Sequence, residues 1–505
     1  MNNKELRNGA ILSYVYIFVS FGVTICFTPL LIKFLGDSEY GIYNLALSFM
    51  SYLEVLNTGM SSTYIKFAAK ADSKEKLASI NGLMFKIYMI FGIIAASLGL
   101  IAILFIDDFF TGLTTIEINH LRILLYMMVF NVILSSANGL FDSNIVLNEK
   151  FTFQKIVAII KKIFLPIVAI PLMLMGMNVI AVGAVYVLAN LVSLILNISY
   201  CLKHKQIDIK FEHQENAFVK KVIYFYFFVF LTIIVDQINW SIDSFIIGRL
   251  RGSFEVSLYS VAHQINSVFL LFATGISSVF ITRIHKIDAN DNDSYLNLAQ
   301  RVGRIQFIIL SLALTGLIFF GKKFIEIWAG PQYSDSYIIA LLLVSPLVFI
   351  TIKSSLTEVY RAKNKHVART MIYLGIAIVN AIISYFLCQK YGAIGAALGT
   401  TISLAIGNII IMNFYDHKVV KINMFAFWKE ILKLVPGVLI ASLFGILIVN
   451  IFDFNNIILY LTSGVIYILI YCIIIYFLLN KEEKDFVKSI FNKLKRGKNG
   501  KRKIS

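Results

Sequence analysis

The side chains in this sequence best suited to chemistry sit where charge is least expected. Asp236, Asn239 and Asp243 lie inside the apolar stretch Tyr224–Arg249. Their spacing of i, i+3 and i+7 puts all three on one stripe of a helix. A carboxylate near the centre of a bilayer costs roughly 2.5–3.5 kcal/mol on insertion scales, so a chain keeps one mainly where it faces a bundle interior or a wet cavity. There it can hold and release a proton or a small cation. Glu54 poses the same question in the apolar run Gly41–Ile65. His263, Gln264 and Asn266 form a further polar cluster within Val256–Ile281. His263 could gate with pH or be a satisfied interior ring. Asp243 lies near Arg249 and Arg251, so a structural ion pair or cap is the expectation for it.

These residues need membrane helices to position them. The chain has 505 residues, 58% hydrophobic and 15% charged, with a mean hydropathy of +0.78. A soluble domain carries about 25% charged residues, so this is an integral membrane protein of the all-α class. About fourteen apolar runs are long enough to cross a bilayer, from Ala10–Phe34 to Ile457–Leu479. The net charge of +17 would suggest nucleic acid in a soluble protein. Here most Lys and Arg fall in alternate short loops, which is the positive-inside pattern, and both termini are expected in the cytoplasm. Cys26, Cys201, Cys388 and Cys472 have neither metal-ligand spacing nor a disulfide framework. No P-loop, metal motif or cofactor motif is present, and no loop is large enough for a catalytic domain, so an enzyme is not expected. Five of the six prolines, Pro29, Pro166, Pro171, Pro346 and Pro436, lie within apolar runs, where kinks are tolerated.

The chain also repeats itself. LGDSEYGIYNLALSFMSYL from Leu35 compares with LRGSFEVSLYSVAHQINSVFL from Leu250, aligning Tyr43 with Tyr259 and Ala46 with Ala262 at an offset of 216. Gly183–Ala184–Val185 aligns with Gly395–Ala396–Ala397 at 212. The reading is six plus six helices in parallel, with a cleft between two lobes. The division is an N-lobe at 1–205, a cytoplasmic linker at 206–220 and a C-lobe at 221–415. Two extra helices follow at 416–480, then a basic cytoplasmic tail at 481–505. Recurrence of small-residue packing motifs is the plainer alternative.

Three blocks then carry a resemblance: Leu35–Gly36 with Tyr40–Gly41–Ile42–Tyr43 and Gly59; Asp243 with Ile246–Ile247–Gly248 and Tyr259–Ser260–Val261–Ala262; and Tyr391–Gly392–Ala393–Ile394–Gly395–Ala396–Ala397. With them the chain resembles polysaccharide-export flippases of the O-antigen and capsule type, in the multidrug, oligosaccharidyl-lipid and polysaccharide exporter superfamily. The resemblance implies a flippase in the bacterial plasma membrane. It would carry undecaprenyl-pyrophosphate-linked oligosaccharide units from the inner to the outer leaflet by ion-coupled alternating access. Membrane lipids and polysaccharide-assembly proteins are the partners it implies.

Under that resemblance, Lys353 and Lys86 either receive the pyrophosphate or snorkel to the interface. Asp236 and Glu54 either couple a proton or sodium ion, or are protonated acids bonded within the bundle. Asn239, Asp243, His263 and Gln264 line the polar cleft. A cation-coupled drug or metabolite antiporter of the same superfamily is the alternative, and a membrane polysaccharide polymerase the more distant one.

Overall fold

The computed structural model describes residues 3–204, 207–278, 287, 291–363, 365–481 and 483–485. The end of the eighth run and the basic tail after Lys493 lie outside the described residues. Within them, each apolar run falls on helix. In hydrocarbon every backbone N–H and C=O must be satisfied inside its own segment, so a long apolar run has no other way to cross.

The first helices are α1 (Asn3–Leu35), α2 (Asp37–Ala68), α3 (Lys74–Leu104), the short α4 (Ile106–Phe109) and α5 (Thr115–Leu147). Then come α6 (Phe151–Leu174), α7 (Val179–Lys203), α8 (Asn216–Arg251) and α9 (Ser253–Ser278). They are followed by α10 (Asn292–Trp328), α11 (Ser336–Thr351), the short α12 (Leu356–Ala362) and α13 (His366–Leu404). A π-helical stretch, Ala405–Ile411, leads into α14 (Met412–Lys418), and α15 (Met424–Leu432), α16 (Val435–Ile451) and α17 (Ile457–Leu478) complete the chain. Among the described residues, ten helices are long and apolar enough to cross a membrane.

Two runs read separately, Val367–Cys388 and Gly392–Tyr415, form one helical segment bent at Gly392, whose φ of 61° breaks the helical path. Pro436 is not inside a continuous helix as the run Ile431–Phe452 suggested. The helix restarts at Val435, and Pro436 lies in its first turn, where the missing N–H costs nothing. The linker is also more ordered than its mixed charge implied. Lys210 N–H donates to Ala78 O (3.0 Å) and Asn81 Nδ2 to Asp208 O (2.9 Å), which holds it against α3.

The chain packs as two compact units. One comprises Met1–Val268, Ile325–Leu343 and Val367–Gly407; the other comprises Phe269–Phe324, Val344–His366 and Asn408–Ser505. Both are assembled from non-contiguous chain, so they describe packing, while the six-plus-six division remains a statement about sequence. In the first unit α2 packs on α5 and α8, and α5 also packs on α3 and α7. Tyr64, fully buried, donates to Asn81 Oδ1 (2.8 Å) and accepts from Asn144 Nδ2 (2.9 Å), joining α2, α3 and α5. In the second unit the Arg304 guanidinium grips Glu483 (Nε–Oε1 2.7 Å, Nη2–Oε2 2.9 Å) and the carbonyl of Glu430 (3.0 Å).

Candidate functional site

Asp243 is the most enclosed acid of the predicted stripe, at 1% exposure. It makes no ion pair with Arg249 or Arg251. Side chains that touch along a helix are three or four residues apart, and these two arginines are six and eight residues away. Arg251 instead donates to Cys388 O (3.1 Å) and Gln389 O (2.5 Å), and Arg249 lies over the Phe109 ring. Asp243 Oδ2 accepts from Tyr259 OH (2.7 Å) and Thr400 Oγ1 (2.5 Å). Thr400 Oγ1 also lies 3.0 Å from Asn380 Oδ1. Ser384 Oγ is 3.0 Å from both Asn380 Oδ1 and Ala396 O.

The bend in α13 builds this cluster. Asn380 and Ser384 are one turn apart before Gly392, and Ala396 and Thr400 one turn apart after it. Gly395 and Gly399 let the two arms touch: a Cβ on Gly395 would meet Leu387 O at 2.1 Å, and one on Gly399 would meet Ser384 Oγ at 2.5 Å. This is the small-xxx-small device of close membrane-helix contact.

Oxygen therefore surrounds Asp243, and Oδ1 of Asp243 itself has no hydrogen-bond partner. Asn239 Oδ1, one turn earlier on α8, is also buried and unpartnered. A buried carboxylate without a cationic partner is costly unless it is protonated or binds an ion. Among the described residues no group of three or more His, Cys, Asp or Glu side chains gathers. A cation here would be held by one carboxylate and neutral oxygens, which suits a hard ion and not a soft transition metal.

The other predicted residues are dispersed. Asp236 lies two turns from Asp243, about 10 Å along the axis, and is exposed where Asn239 and Asp243 are buried. Arg369 at the start of α13 is the charge that acts on it. Glu54 is half-buried on α2, with Lys161 of α6 as its charged neighbour and Ser135 of α5 nearby. Lys161 also faces Asp142. Lys86 is exposed, 5.3 Å from the Phe211 ring centroid. His263 is half-buried and stacks on Tyr259, ring centroids 6.2 Å apart. Gln264 joins α9 to α1 and α2: Thr28 Oγ1 donates to its Oε1 (2.7 Å) and its Nε2 donates to Tyr40 OH (2.5 Å).

Lys353 belongs to the second unit and is 7% exposed. Its ammonium donates to Asn408 O (3.0 Å) in the π-helical stretch and lies 3.5 Å from Asp416 Oδ2. Tyr360 OH donates to the other Asp416 oxygen (2.6 Å). In this conformation Lys353 is an internal ion pair.

Sequence reasoning missed Thr400 as a partner of Asp243, Asn380 and Ser384 as the residues bonded around Thr400, and Lys161 and Arg369 as the charges beside Glu54 and Asp236. For Lys161 a signal existed. It stands five residues inside the apolar run Ile156–Met175, and α6 begins at Phe151, which puts Lys161 about 15 Å into the helix.

The sequence pattern of the family described as polysaccharide biosynthesis protein matches residues 6–287. A capsular polysaccharide biosynthesis protein, CapF of Staphylococcus aureus, is 25% identical over 184 residues, which is 36% of this chain and 46% of CapF. A putative O-antigen transporter of Shigella flexneri is 20% identical over 388 residues, covering 76% of this chain and 91% of that protein. Among solved structures, the lipid II flippase MurJ in an inward closed conformation superposes with a TM-score of 0.73 at 19% identity, covering 92% of this chain and 97% of MurJ. That last likeness is one of fold.

Proposed function

The chain belongs to the polysaccharide biosynthesis protein family, and on that premise we propose that it is a flippase for lipid-linked oligosaccharide units. Its substrate in this reading is an undecaprenyl-pyrophosphate-linked oligosaccharide, carried from the inner to the outer leaflet of the bacterial plasma membrane for surface polysaccharide assembly. The observation that carries the reading is the family match over more than half the chain, together with a relative named as an O-antigen transporter that aligns over 91% of its own length.

We assign the coupling ion, a proton or sodium, to Asp243. What supports the assignment is the buried carboxylate with an unpartnered oxygen beside Asn380 and Thr400. Loading that site would neutralise a charge that otherwise opposes packing of α8 on the bent α13, so occupancy and helix arrangement become linked. Asp236 and Glu54, the acids first expected to couple, face Arg369 and Lys161. A pyrophosphate arriving there would compete with them for those cations. Lys86 is a further cation for the entering headgroup, and Lys353 would have to leave Asp416 to serve as one.

Deleting the gene tests the function. Surface glycan should stall and lipid-linked units should accumulate on the inner leaflet. Normal surface glycan in the deletion strain would refute the flippase.

A further inference from the structure

The internal repeat is written into backbone geometry at one end of the bundle. Gly36 and Gly252, 216 residues apart, both precede a helix with positive φ, 81° and 88°. Three residues on, Glu39 and Glu255 do the same work: Glu39 Oε2 accepts from Val179 N–H (2.9 Å) at the start of α7, and Glu255 Oε2 accepts from Ala393 N–H (2.7 Å) just after the bend in α13. The same register pairs Asp37 with Ser253, and Glu117 with Tyr333.

Those four residues meet crosswise. Ser253 Oγ donates to Glu117 Oε1, and Tyr333 OH donates to Asp37 Oδ1 (2.8 Å). Each contact joins the first half of the chain to the second, and in each the carboxylate comes from the first half and the hydroxyl from the second. Ser38 Oγ also donates to Glu117 Oε1 and lies 3.1 Å from Ser253 Oγ. Around them the halves touch through backbone: Gly112 N–H donates to Arg249 O (3.0 Å), and a Cβ on Gly41 would meet Ser253 O at 2.0 Å. Gln264 forms a second layer beneath, through Thr28 and Tyr40.

We propose that Glu117–Ser253 and Asp37–Tyr333 are paired latches of a gate that opens at this end of the molecule during transport. Carboxylate-to-hydroxyl bonds suit the task, because both partners can exchange each other for water without stranding an opposite charge. Asp37, Ser38 and Glu117 are half-buried, so water already reaches the seam. Because the two contacts are repeat-related, they sit at equivalent places on the two halves, and one separation of the halves breaks both. The purpose of the gate rests on the flippase reading, and the end concerned is the one that the loop charges put outside.

The test replaces Ser38 and Ser253 by cysteine in a full-length chain whose exposed Cys26 and Cys472 are serine. Flipping of a fluorescent pyrophosphate-linked oligosaccharide lipid is followed in proteoliposomes before and after oxidation. Cross-linked protein should lose flipping by about tenfold or more and regain it with reductant. Undiminished flipping by fully cross-linked protein overturns the latch. A second measurement needs no transport. In nanodiscs, maleimide labelling of Ser257→Cys, buried one turn below Ser253, should quicken about fivefold when Glu117→Gln and Tyr333→Phe are added. An unchanged rate overturns the latch by itself. If the unsubstituted chain flips no such lipid, the flippase reading fails, and the labelling rate still decides the gate.

Discussion

At the scale of single residues, Asp243 and Lys353 are both buried charges, yet they are held in opposite ways. Asp243 has hydroxyls and an amide around it and no cation. Asp243→Asn should therefore leave the chain folded while abolishing the dependence of flipping on a proton or sodium gradient. Gradient-driven flipping at the unsubstituted rate in proteoliposomes would remove Asp243 from the coupling. Lys353 has a carboxylate partner, Asp416, that is 0% exposed. Lys353→Met should cost about 3–5 kcal/mol, because it takes the paired ammonium away from that buried carboxylate. Lys353→Met with Asp416→Leu should recover most of the loss, and thermal unfolding of the purified protein reads both. The acids of this site were legible in the sequence because charge stands out in an apolar run. Their partners were not, since Thr400 lies 157 residues from Asp243 and is chemically unremarkable alone.

At the scale of elements, the helices were legible because hydrocarbon leaves a spanning chain no alternative. The departures from straight helix were not. The bend at Gly392 and the π-helical stretch Ala405–Ile411 each depend on a distant neighbour that satisfies the freed backbone groups, Glu255 for Ala393 N–H and Lys353 for Asn408 O. Hydropathy carries no record of those partners. Gly41 shows how tightly one such junction is fitted. Gly41→Ala should destabilise the protein by about 1–3 kcal/mol, because the methyl group overlaps Ser253 backbone. Gly22→Ala, where nothing lies within 4 Å, is the matched control and should be neutral. Equal melting temperatures for the two variants would contradict the packing described for the α2–α9 junction.

For the whole molecule, the loop charges predict an orientation in which a reporter fused after Leu479 reads out in the cytoplasm. An external readout would invert the gate as well as the topology. The offset near 216 stood in the sequence as two short matches. The glycine turns and glutamate contacts that share this offset were hidden, because Glu39 and Glu255 contact helices that begin more than a hundred residues later. Glu117 reaches 136 residues ahead to Ser253. A ribosome adds about 5–20 residues per second, so the first half waits on the order of ten seconds in the membrane before its partner arrives. During that interval Glu117 has only Ser38 and its own capping turn to hold it. A nascent chain stalled before Ser253 should thus leave the Glu117 carboxylate open to water, a rim unsealed until the second half is made.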